Sequence, residues 1–392
     1  MFPKRFSNLP EYAFPRLRRL LDVHPPGGDV VHMTIGEPKH NFPPWIVDII
    51  KENAAGFGKY PVNEGKPELL EAITTWIGQR YGVVMDPTKN VMALNGTREG
   101  LYNAMMAVCP EVKNGQPKVL LPNPFYQVYM VAAISVGAEP VLLNATPDNG
   151  YMPDFTALSP DLLNQVAVAY LCSPSNPQGA VASRDYWVDL IQLAEKYDFK
   201  VFADECYSEI YRGEEPPVGA LQVAHDLGAD PERVLAFHSL SKRSNLPGLR
   251  SGFVAGGPEN ITRIRQLRNY SGSPLPMPLQ HVAEKVWADE SHVIENRRLY
   301  REKYDMADEI MTEVPGYSGP EAGFFLWLPV NDGEKAALKA WVETGVRVLP
   351  GAYLSREVNG FNPGKEFIRV ALVAPKEETE QGLIRLRDCL YK

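Results

Sequence analysis

The chain predicts an α/β fold in which helices cover both faces of a mostly parallel sheet. Three observations carry the prediction. From about residue 65, segments with helical spacing alternate with short apolar runs. The runs are apolar on both faces, as strands buried in a parallel sheet are. Each run ends in a loop rich in Pro, Asn, Ser or Gly.

The elements follow in order. "KPELLEAITTWIGQRYG" (66–82) has Leu69, Leu70, Ile73, Trp76 and Ile77 on one helical face. "GTREGLYNAMMAVC" (96–109) is a second helix, opened by Asn95-Gly96-Thr97. "KVLLPNP" (118–124), "VAVAYLCSPSNP" (166–177), "FKVFADECY" (199–207), "VLAFHSLSK" (234–242) and "SGFVAGG" (251–257) are strands with their following loops. Helical segments such as "RDYWVDLIQLAEKYD" (184–198) separate several of them. A polar, helix-like stretch over about 281–313, broken once, leads out of this body. Beyond it, "GFFLWLP", "EKAALKAWVETG", "VRVLPG" and "FIRVAL" form a smaller α/β unit. The expected division is a large domain over 37–288 and a small domain made of 1–36 and 289–392. Within the arm, residues 16–21 can form a basic amphipathic helix, expected to pack on the body or on a partner rather than on a membrane.

Composition narrows the function. The chain has 392 residues, 44% of them hydrophobic, enough for a sizeable core. A net charge of −8 leaves no basic footprint, so no nucleic-acid partner is expected. No apolar run approaches the roughly 20 residues that span a bilayer, and the N-terminus has no secretory apolar region, so no membrane contact is expected. The four cysteines lie far apart with no C-x-x-C, which disfavours a metal site and a disulfide framework and points to the reducing cytoplasm.

In open α/β sheets, ligands bind beyond the carboxyl ends of the strands. There the sequence places Asn123 to Tyr126, Ser173 to Pro177, Asp204, Tyr207, Ser239, Ser241 and Lys242, with Arg250 eight residues on. A P-loop, a G-x-S-x-G elbow and a dinucleotide fingerprint are all missing from the sequence. A lysine nucleophile points to Schiff-base chemistry, an arginine among hydroxyls to a phosphate, and an aspartate can pair with a protonated pyridine nitrogen. Together they meet the needs of pyridoxal 5'-phosphate.

Ser239-x-Ser241-Lys242 with Arg250 and Gly252, joined in order by "NGT", "SNPQG" and "DECY", resembles the class I/II pyridoxal-phosphate aminotransferases of the aspartate aminotransferase fold type. The resemblance runs over nearly the whole chain. "IGEPKH", "GTREGL" and "SLSKRSNLPGLRSGFVAG" are most similar to the succinyldiaminopimelate aminotransferases of lysine and cell-wall biosynthesis. It implies fold type I, with a seven-stranded, mostly parallel sheet in the large, cofactor-binding domain.

The resemblance also implies roles. Lys242 forms the Schiff base with the cofactor and then moves the substrate's proton. Arg250, Ser239 and Ser241 hold the phosphate, with backbone N–H groups of Gly96, Thr97 and Arg98 at a helix start. Asp204 keeps the pyridine nitrogen protonated; Tyr207 and Asn176 bond the phenolic oxygen. Tyr126 stacks on the ring, with Phe125 and Tyr129 as rivals. Arg369 binds the substrate α-carboxylate, and Gly36 lets backbone approach the substrate. Tyr60 reaches the phosphate of a neighbouring subunit, which makes the protein a homodimer with shared sites. Asn123-Pro124 and Asn176-Pro177 are candidate cis bonds. For the substrate side chain, Lys39, His40, Arg98, Arg243 and Arg16 or Arg18 are candidates. The expected activity is amino transfer between glutamate and a keto acid, N-succinyl-2-amino-6-ketopimelate. The alternatives are an aminotransferase of other or broad specificity, a β-lyase or other pyridoxal-phosphate chemistry, and a non-catalytic regulator.

Overall fold

A computed structural model describes residues 3–392. Strand β1 (Val31–His32) precedes the main sheet. That sheet is built from β2 (Val91–Leu94), β3 (Lys118–Asn123), β4 (Glu139–Asn144), β5 (Val166–Cys172), β6 (Lys200–Asp204), β7 (Val234–Ser239) and β8 (Gly252–Gly256). After it come β9 (Phe325–Pro329), β10 (Val346–Arg347), β11 (Leu349–Pro350) and β12 (Phe367–Ala371). The main sheet has the order β2-β8-β7-β6-β5-β3-β4, and only β8 runs against its neighbours. The five expected strands are β3, β5, β6, β7 and β8.

Helices cover both faces. On one lie Ile73, Trp76 and Ile77 of helix Pro67–Tyr81, Trp187 and Ile191 of Arg184–Tyr197, and Val282 and Val286 of Met277–Ala288. On the other lie Leu101 and Met105 of helix Thr97–Val108, Tyr129 and Ala133 of Gln127–Ser135, and Ile264 of Pro258–Arg268. Helix Pro67–Tyr81 shows why its bounds were readable. Proline opens it, where a missing N–H costs nothing, and Gly82 closes it at φ 70°.

The polar stretch after the sheet divides into Met277–Ala288 and Ser291–Met311, one break as expected. Strands β11, β12 and β9 form an antiparallel sheet, and β1 pairs with β10. These enclose a second core with helices Ser291–Met311, Gly333–Thr344 and Lys376–Leu390. The N-terminal arm forms helix Ala13–Leu21, whose Ala13, Leu17 and Leu21 pack on Trp341, Leu349 and Tyr353. Among the described residues, no helix is long and apolar enough to cross a membrane.

Candidate active site

A cavity of about 530 Å³ opens at the carboxyl ends of β5, β6 and β7. Lys242, Asp204, Tyr207, Asn176, Ser239, Ser241, Thr97, Arg98, Tyr126, Arg250, Gly36 and Arg369 all line it. Gly96 lies directly behind Arg250. Residues from seven separate segments, spread over more than 300 positions, thus converge on one space.

Lys242 sits in the short helix Leu240–Arg243 that continues β7, and its Nζ donates to the Gly36 carbonyl. Burial pushes the amine down from 10.5 to about 8, and Arg369 and Arg250 add to the shift against Cys206 and Glu37. Near neutral pH a useful fraction of the amine is therefore unprotonated, as a nucleophile requires.

Asp204 ends β6 and is buried. Its Oδ2 accepts from the Tyr129 hydroxyl at 2.6 Å and its Oδ1 from the Cys206 N–H at 3.4 Å. Burial raises its pKa, which Tyr129 and Cys206 only partly oppose. A carboxyl in that position is completed by a cationic N–H partner. Tyr129 itself stacks on Tyr170, with centroids 4.5 Å apart, so it is Asp204's donor and not a ring-stacking rival of Tyr126.

The start of helix Thr97–Val108 faces Arg250. Gly96 has φ 87°, and a Cβ there would stand 2.1 Å from the Arg250 Nη2. Glycine is required twice over, by backbone conformation and by the guanidinium's approach. Ser239 Oγ bonds Ser241 Oγ at 3.0 Å and accepts the Ser241 N–H at 3.1 Å. Hydroxyls, a guanidinium and helix N–H groups make a cradle suited to a phosphate.

Arg369 on β12 is only 4% exposed. Its Nη1 donates to Asn176 Oδ1 at 2.9 Å and its Nη2 to the Thr34 carbonyl at 2.8 Å. The guanidinium lies 4.0 Å over the Phe325 ring, and its Nε has no partner among the described residues. Burial pushes its pKa down to about 10. A buried cation lacking a carboxylate is costly, and a ligand carboxylate completes it. Gly36 packs so tightly on Phe325 and Phe324 that a Cβ would meet their rings at 2.5 and 2.9 Å.

Some expectations are corrected. Arg243 cannot read a substrate. It is 2% exposed, bonds Glu290 and the Val286 carbonyl, and lies over Trp287. His40 bonds Asn296 at 2.8 Å and packs on Tyr300, and Arg16 pairs with Glu334 at 2.6 Å over the Tyr353 ring. Lys39 and Arg18 do not line the cavity. Tyr60, expected to serve a neighbouring subunit, lies outside its own chain's cavity and is 99% exposed. Asn123-Pro124 and Asn176-Pro177 are cis, and so is Ser173-Pro174, which the sequence did not single out. The lining also holds Tyr12, Phe325 and Cys206, none of them foreseen. Register could have found Phe325: Arg369 faces Trp327 across the ladder, and Phe325 is two residues along the same face. Tyr12 had no local signal.

With this geometry in place, comparison with known proteins is decisive. The family profile described as aminotransferase class I and II matches residues 28–386. The chain belongs to this family. It is a pyridoxal-phosphate-dependent transaminase of fold type I. An aminotransferase from Neisseria meningitidis superposes with a TM-score of 0.94 at 36% identity, covering 99% of each chain. An LL-diaminopimelate aminotransferase from Dehalococcoides mccartyi is 30% identical over 98% of each chain. A probable N-succinyldiaminopimelate aminotransferase from Thermus thermophilus has a TM-score of 0.82 at 27% identity, covering 96% of this chain and 98% of its own. The residues present fit pyridoxal 5'-phosphate: an amine of lowered pKa, a buried carboxyl and an anion cradle share one cavity.

Proposed function

We propose that this aminotransferase exchanges an amino group between glutamate and N-succinyl-2-amino-6-ketopimelate. When bound, pyridoxal phosphate supplies an electron sink and stores the amino group between two half-reactions. The chain's residues do the rest. Lys242 Nζ carries the cofactor and then moves the proton at the substrate's Cα. Asp204 holds the proton on the pyridine nitrogen, and Tyr207 and Asn176 hold the phenolic oxygen. Tyr126 covers the ring. Arg250, Ser239, Ser241 and the N–H groups of Gly96, Thr97 and Arg98 grip the phosphate. Arg369, positioned by Asn176, takes the α-carboxylate in a two-pronged pair, and the Gly36 backbone lies against the substrate. Tyr60 completes the phosphate site of a second subunit in a homodimer.

The observation that carries the substrate class is the pair of cations left over once the cofactor is served. Arg369 is one. The other is Arg98, whose Nε donates to the Tyr126 hydroxyl at 2.8 Å and which forms no ion pair among the described residues. Two arginines in one cavity suit a substrate with carboxylates at both ends. The quoted strings and the Thermus relative favour the succinylated substrate. A second reading, free LL-diaminopimelate, is favoured by the names of the curated relatives near 30% identity.

Single-turnover kinetics with glutamate, N-succinyl-LL-diaminopimelate and LL-diaminopimelate separates the two. The proposal expects fast half-reactions with the first two. Arg98→Gln should then lower kcat/KM for these two donors, which carry carboxylates beyond the α one, at least tenfold, about 1.4 kcal/mol, and spare monocarboxylic donors. A fast half-reaction with LL-diaminopimelate alone selects the second reading. Equal effects of Arg98→Gln on both donor classes would remove Arg98 from the specificity site.

A further inference from the structure

Tyr60 presents its whole side chain to solvent, yet the backbone that carries it is held on both sides. Gln280, in helix Met277–Ala288, is the centre of that hold. It is 1% exposed, and its amide bonds three backbone groups on two stretches of chain. Its Oε1 accepts the Lys66 N–H at 2.7 Å. Its Nε2 donates to the Val62 carbonyl at 3.1 Å and to the Leu275 carbonyl at 2.8 Å. Both amide hydrogens are thus used, and the carbonyl oxygen takes one of the two bonds it can accept.

Other contacts continue the clamp. Lys66 Nζ bonds His281, next to Gln280, at 2.7 Å and Glu284, one turn further along the same helix, at 2.6 Å. The Glu64 carbonyl accepts the Ala93 N–H at 2.8 Å, which ties the segment to β2 beside the start of helix Thr97–Val108. Asn63 donates to Asn269 at 2.9 Å. On the other side of Tyr60, a Cβ on Gly56 would stand 3.1 Å from Pro278. Chain held this firmly around an exposed aromatic is costly to order unless the side chain is needed in one place.

We infer that Gln280 is a positioning residue for cofactor binding in the neighbouring subunit: it fixes the Val62–Lys66 backbone so that Tyr60 reaches the partner's phosphate site. The inference rests on the proposed role of Tyr60. Gln280 touches neither cofactor nor substrate in its own chain. It acts at a distance, through a buried amide whose loss leaves two carbonyls and one N–H without partners.

The test measures the Kd of apoenzyme for pyridoxal phosphate in wild type, Tyr60→Phe, Gln280→Met and the double variant. The expected result is a rise of at least tenfold for Tyr60→Phe and at least fivefold for Gln280→Met. The double variant should bind no more than twofold more weakly than Tyr60→Phe, because both changes remove one interaction. If the effects multiply instead, Gln280 acts through the fold at large and the inference is wrong. If Tyr60→Phe weakens binding and Gln280→Met does not, the inference falls while the role of Tyr60 stands. An unchanged Kd for Tyr60→Phe removes that role and the inference with it. Should Gln280→Met fail to fold, Asn63→Ala enters the same cycle with a smaller effect of the same sign. Mixed dimers give the trans readout. A Gln280→Met chain paired with a Lys242→Ala chain receives Tyr60 from an intact clamp, so its Lys242 site should regain wild-type affinity. Affinity that stays weak in that hybrid would place the effect in cis and overturn the inference.

Discussion

At the residue scale, two groups carry the chemistry because the fold denies them solvent. Burial, helped by the Arg369 and Arg250 guanidiniums, pushes the Lys242 amine down to about 8. Competitive labelling of the apoprotein should show Lys242 acylation rising through pH 8, whereas surface lysines titrate near 10; a Lys242 midpoint near 10 would contradict the desolvated site. Arg369 is the second group. Arg369→Lys keeps the charge but loses the two-pronged geometry, so kcat/KM should fall about 100-fold, roughly 3 kcal/mol, while the cofactor's absorbance is unchanged. Asp204 and Lys242 were legible because they stand at the ends of apolar runs, whereas Arg369 lies inside the run FIRVAL and was legible only through the family resemblance. Tyr129 was not, because its hydroxyl reaches Asp204, at the end of β6, from a helix 75 positions earlier.

At the element scale, strands buried on both faces were legible and edge elements were not. Strands β3 and β5 to β8 have continuous apolar centres, with buried polar residues such as Asn123, Asp204, His238 and Ser239 only at their carboxyl ends. Strand β4 lies at the sheet's edge and is partly exposed along its length, and β2 has only four residues. Helix Gln127–Ser135 is apolar almost all round, so it carries no helical stripe to read. The same scale explains the phosphate cradle. Gly96→Ala should displace Arg250, since the new methyl occupies the space of its guanidinium. Affinity for pyridoxal phosphate should fall at least tenfold in an equilibrium titration, with a smaller loss of apoprotein Tm from the unfavourable φ.

At the scale of the whole molecule, the large sheet and the C-terminal unit meet through buried charge. Glu209 follows the Asp204–Tyr207 segment and bonds Arg80 at 2.8 Å and Arg297 at 3.2 Å. Arg80 belongs to helix Pro67–Tyr81 and Arg297 to helix Ser291–Met311. Burial pushes the Glu209 carboxyl up, but Arg80, Arg243 and Arg297 outweigh it and hold its pKa below the usual range. A group with a lowered folded pKa contributes stability above its unfolded value, near 4.5, and loses it as pH falls below that value. Glu209→Gln should therefore cost about 3 kcal/mol at pH 7 and flatten the loss of Tm below pH 4.5. No sequence pattern announced this triad, because its members lie on three elements that only the fold brings together.

Lys242 and Arg369 share one cavity, and moving an amino group is the reaction that uses both. The absorbance spectrum of purified holoenzyme tests it most directly, before and after N-succinyl-LL-diaminopimelate is added without any keto acid. The lysine-linked cofactor band should disappear and the pyridoxamine phosphate band should grow. A lysine-linked band that glutamate and both diaminopimelate donors leave unchanged would contradict it, as would the absence of that band after reconstitution with pyridoxal phosphate.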